Sequence, residues 1–307
     1  MTKVFVDGSA GTTGLRIMER LGARKDLSLI TLTEENRKDP AARKEAINQA
    51  DIVFLCLPDD AAREAVAMTE NDHTVIIDTS TAHRTDPRFA YGFPEIGGLR
   101  EKIRTSKRIA NPGCHASGFI ALVSPLVEKG LLDKTALLTC FSLTGYSGGG
   151  KKMIAEYEDP ARDPLLKAPR QYGIAQHHKH LPEMSYITGL TTDPVFCPIV
   201  ADYYAGMEVT VPLFKSQVKG TLADIEAVYE SYYQDGLVHF VKGADEGGYL
   251  SGNRYEDRDD MEISVFGNED RILLVSRFDN LGKGASGAAV QNMNLVLGLD
   301  EKTGLVV

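Results

Sequence analysis

The chain has 307 residues, 43% hydrophobic and 25% charged, with 29 glycines, which is enough for two ordinary domains and excludes a disordered or fibrous composition. A net charge of −9 argues against a nucleic-acid partner, which calls for clustered Lys and Arg. Cys56, Cys114, Cys140 and Cys197 lie far apart with no CxxC pair, which fits free thiols in a reducing, cytoplasmic compartment rather than a disulfide or zinc framework.

The opening KVFVDG reads as a strand and not as a signal peptide. Through the first 110 residues, short β-branched runs alternate with amphipathic ones: KVFV, LRIMERL, LSLITL, AARKEAINQ, DIVFLCL, AAREAVAM and TVIIDTS. That alternation predicts βαβ units, and near-continuous apolar strands such as 52–57 predict a parallel sheet buried on both faces. FIALVSPLV at 119–127 is the longest apolar stretch; it is about half the ~20 residues a bilayer requires, and no membrane partner is expected.

After about residue 115 the segments lengthen and alternate. ALLTCFSLTG (136–145), GMEVTVPLF (206–214) and the pair MEISVF and RILLVSRF around GNED predict a mixed, mostly antiparallel sheet. TLADIEAVYESYYQDG (221–236) predicts a helix, with Leu222, Ile225, Val228 and Tyr229 at helical spacing. A last helix over 284–299 is expected to return to the first domain, giving a dinucleotide domain at 1–113 and a second, α+β domain at 114–283.

GSAGTTG follows the first strand at once and leads into a helix, with Gly8, Gly11 and Gly14 spaced by three. A glycine-rich turn at a helix N-terminus offers backbone N–H groups and the positive dipole end to a pyrophosphate, so Gly8, Ser9, Gly11, Thr12, Thr13 and Gly14 are candidate cofactor residues of a Rossmann-type domain. Glu34 and Glu35 stand where an acid would bond the ribose of NAD, yet Arg37 and Lys38 follow, where a cation would meet the 2′-phosphate of NADP.

In IANPGCHASG (109–118) a Pro-Gly turn places Cys114 at the start of a helix, a position that favours the nucleophilic thiolate; the other three cysteines are expected to be buried and inert. QHHKHLPEM (176–184) supplies imidazoles suited to acid–base work, with Glu183 to orient one. Zinc ligation by His178 and His180 is the rival, without a nearby Cys or acid at ligand spacing. GYSGG (145–149) matches a hydrolase elbow at Ser147, although SGGGKK also reads as a flexible anion cradle with Lys151 or Lys152 beside it.

The GxxGxxG loop, NPGC, SGGGKK, HKHLPE and the closing KGASGAAVQNMNLVLGL together resemble the N-acetyl-γ-glutamyl-phosphate reductase family of arginine biosynthesis, in its shorter form, over nearly the whole chain. The resemblance implies an acyl-phosphate substrate, NADPH as reductant, and a homodimer or homotetramer built on the second domain. It puts the nucleophile on Cys114, acid–base work on His178 or His180 with support from Glu183, and Asn111, Ser147 and Gly148 near the substrate. Where longer relatives have CYPT this chain has CHASG, which makes His115 an extra imidazole of open role. Reaction requires the sulfur, an imidazole and a nicotinamide to converge. The alternatives are the same chemistry on aspartyl or N-acetyl-aminoadipyl phosphate, a serine hydrolase built on Ser147, and a thiol redox sensor that binds dinucleotide without turnover.

Overall fold

The computed structural model describes residues 1–307, which divide into two compact units: Met1–Pro94, Gly98–Pro112 and Ala285–Leu305 form the first, and Glu95–Gly97, Gly113–Gly284 and Val306–Val307 the second. No helix is long and apolar enough to cross a membrane.

The first unit runs β1 (Thr2–Asp7), α1 (Thr12–Gly22), β2 (Leu27–Ile30), α2 (Pro40–Gln49), β3 (Ile52–Leu55), α3 (Asp59–Ala67), β4 (Val75–Asp78), β5 (Ala90–Tyr91), α4 (Leu99–Thr105) and β6 (Arg108–Ala110). Its sheet has the order β2-β1-β3-β4-β6-β5, and every neighbouring pair is parallel. The strands are apolar on both faces because both are covered. Val4, Val6, Phe54 and Ile77 pack with Ile17 and Leu21 of α1 and with Val290 and Met293 of the C-terminal helix Gly287–Val296. The alternate residues Phe5, Val53, Leu55 and Ile76 pack with Ile47 of α2 and Ala62 and Ala65 of α3. Period-two alternation therefore distributes one apolar run between two helical layers.

The second unit runs α5 (Cys114–Glu128), β7 (Thr139–Gly145), α6 (Gly150–Glu158), β8 (Arg170–Gln171), α7 (Leu181–Thr188), β9 (Val195–Ala201), β10 (Met207–Phe214), α8 (Leu222–Tyr232), β11 (Val238–Phe240), β12 (Met261–Gly267) and β13 (Arg271–Phe278). The sheet order is β11-β12-β13-β10-β7-β9-β8, antiparallel except for β11–β12 and β7–β9. FIALVSPLV lies in α5, buried on all sides from His115 to Val127. Pro125 has no N–H for the carbonyl of Ala121, and the Tyr233 hydroxyl donates to that oxygen at 2.6 Å. The Tyr229 hydroxyl donates to the Leu122 carbonyl at 2.5 Å. Tyr229, which reads as mere helix periodicity, and Tyr233 thus satisfy the backbone of a buried helix, as burial demands.

The SGGGKK segment is not a flexible loop: Tyr146–Gly149 forms a 3₁₀ turn that passes directly into α6. The Ser147 N–H donates to the Tyr204 carbonyl at 3.0 Å, its Oγ accepts from the Asn280 amide at 2.9 Å, and the Tyr146 and Tyr157 rings stack 4.9 Å apart.

Candidate active site

Cys114 is the first residue of α5, with Gly113 as N-cap and neither a side-chain cap nor an acidic residue in the first turn. The helix start therefore presents its N–H groups and positive dipole end beside the sulfur, which favours thiolate and a developing oxyanion. Glu183, buried on α7, accepts from the Gly113 N–H at 2.8 Å and so ties the two helix starts together.

The imidazoles gather at this point. The His180 N–H donates to His178 Nδ1 at 3.2 Å, and these two rings lie 4.8 Å apart. His115, the residue after the candidate nucleophile, lies 5.8 Å from the His178 ring and 5.6 Å from the His180 ring, with Phe196 5.4 Å away. His177 is exposed and outside the group. Burial first, and the charge of Lys179 second, lower His178 below its ordinary value, so this ring is neutral near pH 7.

Burial, reinforced by His178 and Lys179, takes His115 from 6.5 to about 3. Unfolding releases a ring that binds a proton at any pH between those values. Its contribution to stability is therefore complete above pH 6.5 and lost progressively down to pH 3. Urea unfolding at pH 7 and pH 5 should show a loss of about 2 kcal/mol from this ring, removed in His115→Asn; equal pH slopes for the two proteins would show that His115 carries no such linkage.

Ser147 is buried and its Oγ is held by Asn280, with no imidazole on it, so the hydrolase elbow lacks its base. A Cβ on Gly148 would lie 3.5 Å from the Asn280 amide nitrogen. Asn111, in the first unit, donates from Nδ2 to the Ala285 carbonyl at 3.0 Å and accepts on Oδ1 from Asn292 at 3.2 Å, so its amide is engaged by the protein. Desolvation pushes the Cys56 thiol up to about 12 and the fully buried Cys140 also upward, as inert thiols should be. Cys56 and Cys197 differ from expectation in being half-buried, Cys197 because the face of β9 that carries it is only partly covered.

Sequence reading missed two features here. Tyr172 bonds the His115 ring, and Gly284 leaves room for Cys114, since a Cβ at Gly284 would stand 3.0 Å from the Cys114 Cβ. The second had a faint signal, the NLGKGASG run, whose Gly282–Ser286 segment forms a π-turn.

In the first unit a cavity of about 560 Å³ is lined by Gly8, Ser9 and Ala10 of the glycine turn, Leu32 and Leu57, and Glu34, Arg37 and Lys38 after β2. Gly11, Thr12, Thr13 and Gly14 do not line it; they form the N-cap and first turn of α1, which has no side-chain cap and no acid. The Thr12 hydroxyl is buried there without a hydrogen-bond partner. An uncapped helix start and an orphaned hydroxyl fit a pyrophosphate. Arg37 is ion-paired with Glu34, and buried Arg43 meets Asp7 at 2.9 Å on the cavity wall. Burial, which outweighs Arg43, raises the Asp7 carboxyl above its usual range.

Residues 3–106 match the model of the semialdehyde dehydrogenase NAD binding domain, and residues 114–280 that of the semialdehyde dehydrogenase dimerisation domain. An N-acetyl-gamma-glutamyl-phosphate reductase of Chelativorans sp. (strain BNC1) is 45% identical over 96% of this chain and 98% of its own length. That of Brucella ovis is 45% identical over 96% and 99%. Among solved structures, aspartate semialdehyde dehydrogenase II from Vibrio cholerae, complexed with ASA, superposes with a TM-score of 0.72 at 18% identity, covering 97% of this chain and 98% of that one. The Candida albicans aspartate semialdehyde dehydrogenase with NADP gives a TM-score of 0.69 at 14% identity, covering 97% and 99%. At such identities the structures speak for the fold, whereas the reductases match across nearly their full lengths: the chain belongs to the N-acetyl-gamma-glutamyl-phosphate reductase family of the semialdehyde dehydrogenases.

Proposed function

We propose that this chain reduces N-acetylglutamyl 5-phosphate to N-acetylglutamate 5-semialdehyde and phosphate, a step of arginine biosynthesis, through a thioester on Cys114. The observation that carries the reading is the placement of that thiol on the first residue of α5, with imidazoles packed around its neighbour, in a chain 45% identical to reductases of this name.

An imidazole of His178 or His180 takes the thiol proton as the sulfur attacks the acyl carbon. The bond from that carbon to the phosphate oxygen breaks, and the proton leaves with phosphate, a good leaving group. The reduced dinucleotide, when bound, supplies a hydride to the thioester carbon. As the carbonyl re-forms, the C–S bond breaks, the aldehyde departs and a solvent proton restores the thiol. The N–H groups at the start of α5 stabilise the oxyanions on either side of the thioester, because they are fixed before charge develops. Glu183 holds that helix start in place through Gly113. Ser147 and Gly148 are assigned to the substrate side, with Asn111 as a support.

NADP is favoured over NAD because Lys38 lines the cavity after β2 beside the mutually paired Arg37 and Glu34, which leaves the positive charge in excess there. A panel of acyl phosphates tested with NADPH and NADH checks the reading. N-acetylglutamyl phosphate with NADPH should exceed aspartyl and N-acetyl-aminoadipyl phosphate by about 100-fold in kcat/KM; preference for either rival moves the assignment to that substrate.

The protein is further proposed to act in the cytoplasm as a homodimer or dimer of dimers. One face of the second sheet exposes Phe141 (44%), Val195 (54%), Phe214 (66%) and Leu273 (39%), an apolar surface that a second copy would cover. Phe141→Glu is expected to shift the sedimentation of the purified protein toward monomer; an unchanged oligomer would place the interface elsewhere.

A further inference from the structure

Gln176 opens the stretch that carries the imidazoles, yet it has no part in the chemistry itself. β8 pairs antiparallel with β9, Arg170 against Val200 and Gln171 against Ile199, and the Tyr172 N–H still donates to the Pro198 carbonyl at 3.0 Å. Continued, that register would set Ile174 opposite Phe196, where the two residues would exchange both main-chain hydrogen bonds. The chain leaves the ladder instead. Gly173 has φ +62°, the Gln176 N–H donates back to the Gly173 carbonyl at 2.9 Å, and Ile174 is exposed on the turn.

Gln176 takes the place of the missing ladder residue. Its Nε2 donates to the Phe196 carbonyl at 2.8 Å, and its Oε1 accepts from the Phe196 N–H at 2.9 Å. A side-chain amide thus makes the two bonds that a main-chain partner would have made, and the edge of β9 is satisfied. Reaching them requires φ +57° at Gln176, a left-handed conformation that glycine, asparagine and aspartate adopt far more readily.

The clamp grips the same residue that the His178 ring packs on. The buried Phe196 ring lies 5.0 Å from the His178 ring and 5.4 Å from the His115 ring. Beyond His178 the turn is closed by its own bonds, from the His180 N–H to His178 Nδ1 at 3.2 Å and from the Leu181 N–H to the His178 carbonyl at 3.0 Å. Phe196 therefore holds the backbone before His178 through its amide groups and the imidazole through its ring.

We infer that Gln176 is a positioning residue for the acid–base imidazoles: by completing the edge of β9 at Phe196, it fixes the His178–His180 turn beside His115. The inference rests on the reading of His178 or His180 as the group that takes the thiol proton.

Gln176→Asn is the test variant, because asparagine keeps the left-handed backbone but is one methylene too short to bond both Phe196 groups. In the full chain, turnover of the acyl phosphate with NADPH should fall on the order of 10-fold in kcat with KM nearly unchanged, as for a displaced catalytic group. The loss should vanish from the residual turnover of a chain that carries His178→Asn and His180→Asn, since the clamp acts through those rings. The His178 ring-proton resonances should shift in Gln176→Asn, because the imidazole leaves its place beside Phe196. Gln176→Glu, which keeps the length and the acceptor but loses the donor on ionisation, should repeat the loss and serves should Gln176→Asn fold poorly. An unchanged kcat in either variant, an equal loss in both backgrounds, or unmoved His178 resonances would overturn the inference. Full turnover in the chain without both rings would refute the acid–base reading alone, and the His178 resonances then decide the clamp.

Discussion

Cys114→Ser should lower kcat/KM for the acyl phosphate by at least about 10³-fold, because a serine hydroxyl is protonated at neutral pH and loses most of the nucleophilicity of a thiolate. The variant should fold, since serine is close to cysteine in size and the site is only half-buried. It should also bind NADPH normally, since the cavity lined by Gly8, Ser9, Arg37 and Lys38 belongs to the other unit of the chain. Steady-state turnover and equilibrium cofactor binding measured on the same sample separate the outcomes. Lost turnover with intact binding supports covalent catalysis. Retained turnover would refute it, and a wild-type protein that binds cofactor without turning over would instead be the redox sensor.

The second large effect concerns the glycine turn, where Gly8 and Gly11, alike in sequence, do different work. Gly8 has φ +86°, and a Cβ there would stand 2.2 Å from the Cys56 carbonyl oxygen, an impossible contact with backbone. Gly8→Ala is expected to cost more than about 3 kcal/mol, combining backbone strain with displacement of the strand end that carries Cys56. Gly11 has ordinary backbone angles, and its nearest neighbour to a Cβ is 3.5 Å away. Gly11→Ala should therefore leave the thermal midpoint nearly unchanged yet weaken NADPH binding by roughly 10-fold, because the added methyl holds phosphate off the N–H groups of α1. Thermal melts and cofactor fluorescence titrations of both variants check the pair. A Gly11→Ala protein that binds as tightly as wild type would show that the pyrophosphate does not rest on this turn.

Much was legible in the chain itself because it depends on neighbours in sequence. The near-continuous apolar runs KVFV and DIVFLCL marked strands buried on both faces, and the observed parallel sheet shares those residues between two helical layers. NPGC marked the start of a helix because a Pro-Gly turn must break whatever precedes it, and α5 begins at Cys114. By contrast, the strand after α1 stops at Ile30 although the apolar pattern continues to Leu32, and SGGGKK is ordered although its composition reads as flexible. In the second case the ordering comes from Asn280, more than a hundred positions away.

The candidate site divides in the same way. The sequence by itself determined which groups have the chemistry: a thiol at a helix start, imidazoles within a five-residue stretch, and glycines between a strand and a helix, each a matter of local spacing. Only the tertiary structure decided which of those groups are neutral, which are already spent and which meet. It drew His115, Ser142 and Tyr172 into one chain, engaged Ser147 with Asn280, and set Asp7 against Arg43. Protonation and hydrogen-bond direction depend on desolvation and on partners distant in sequence, and those are established only when the strands and helices pack.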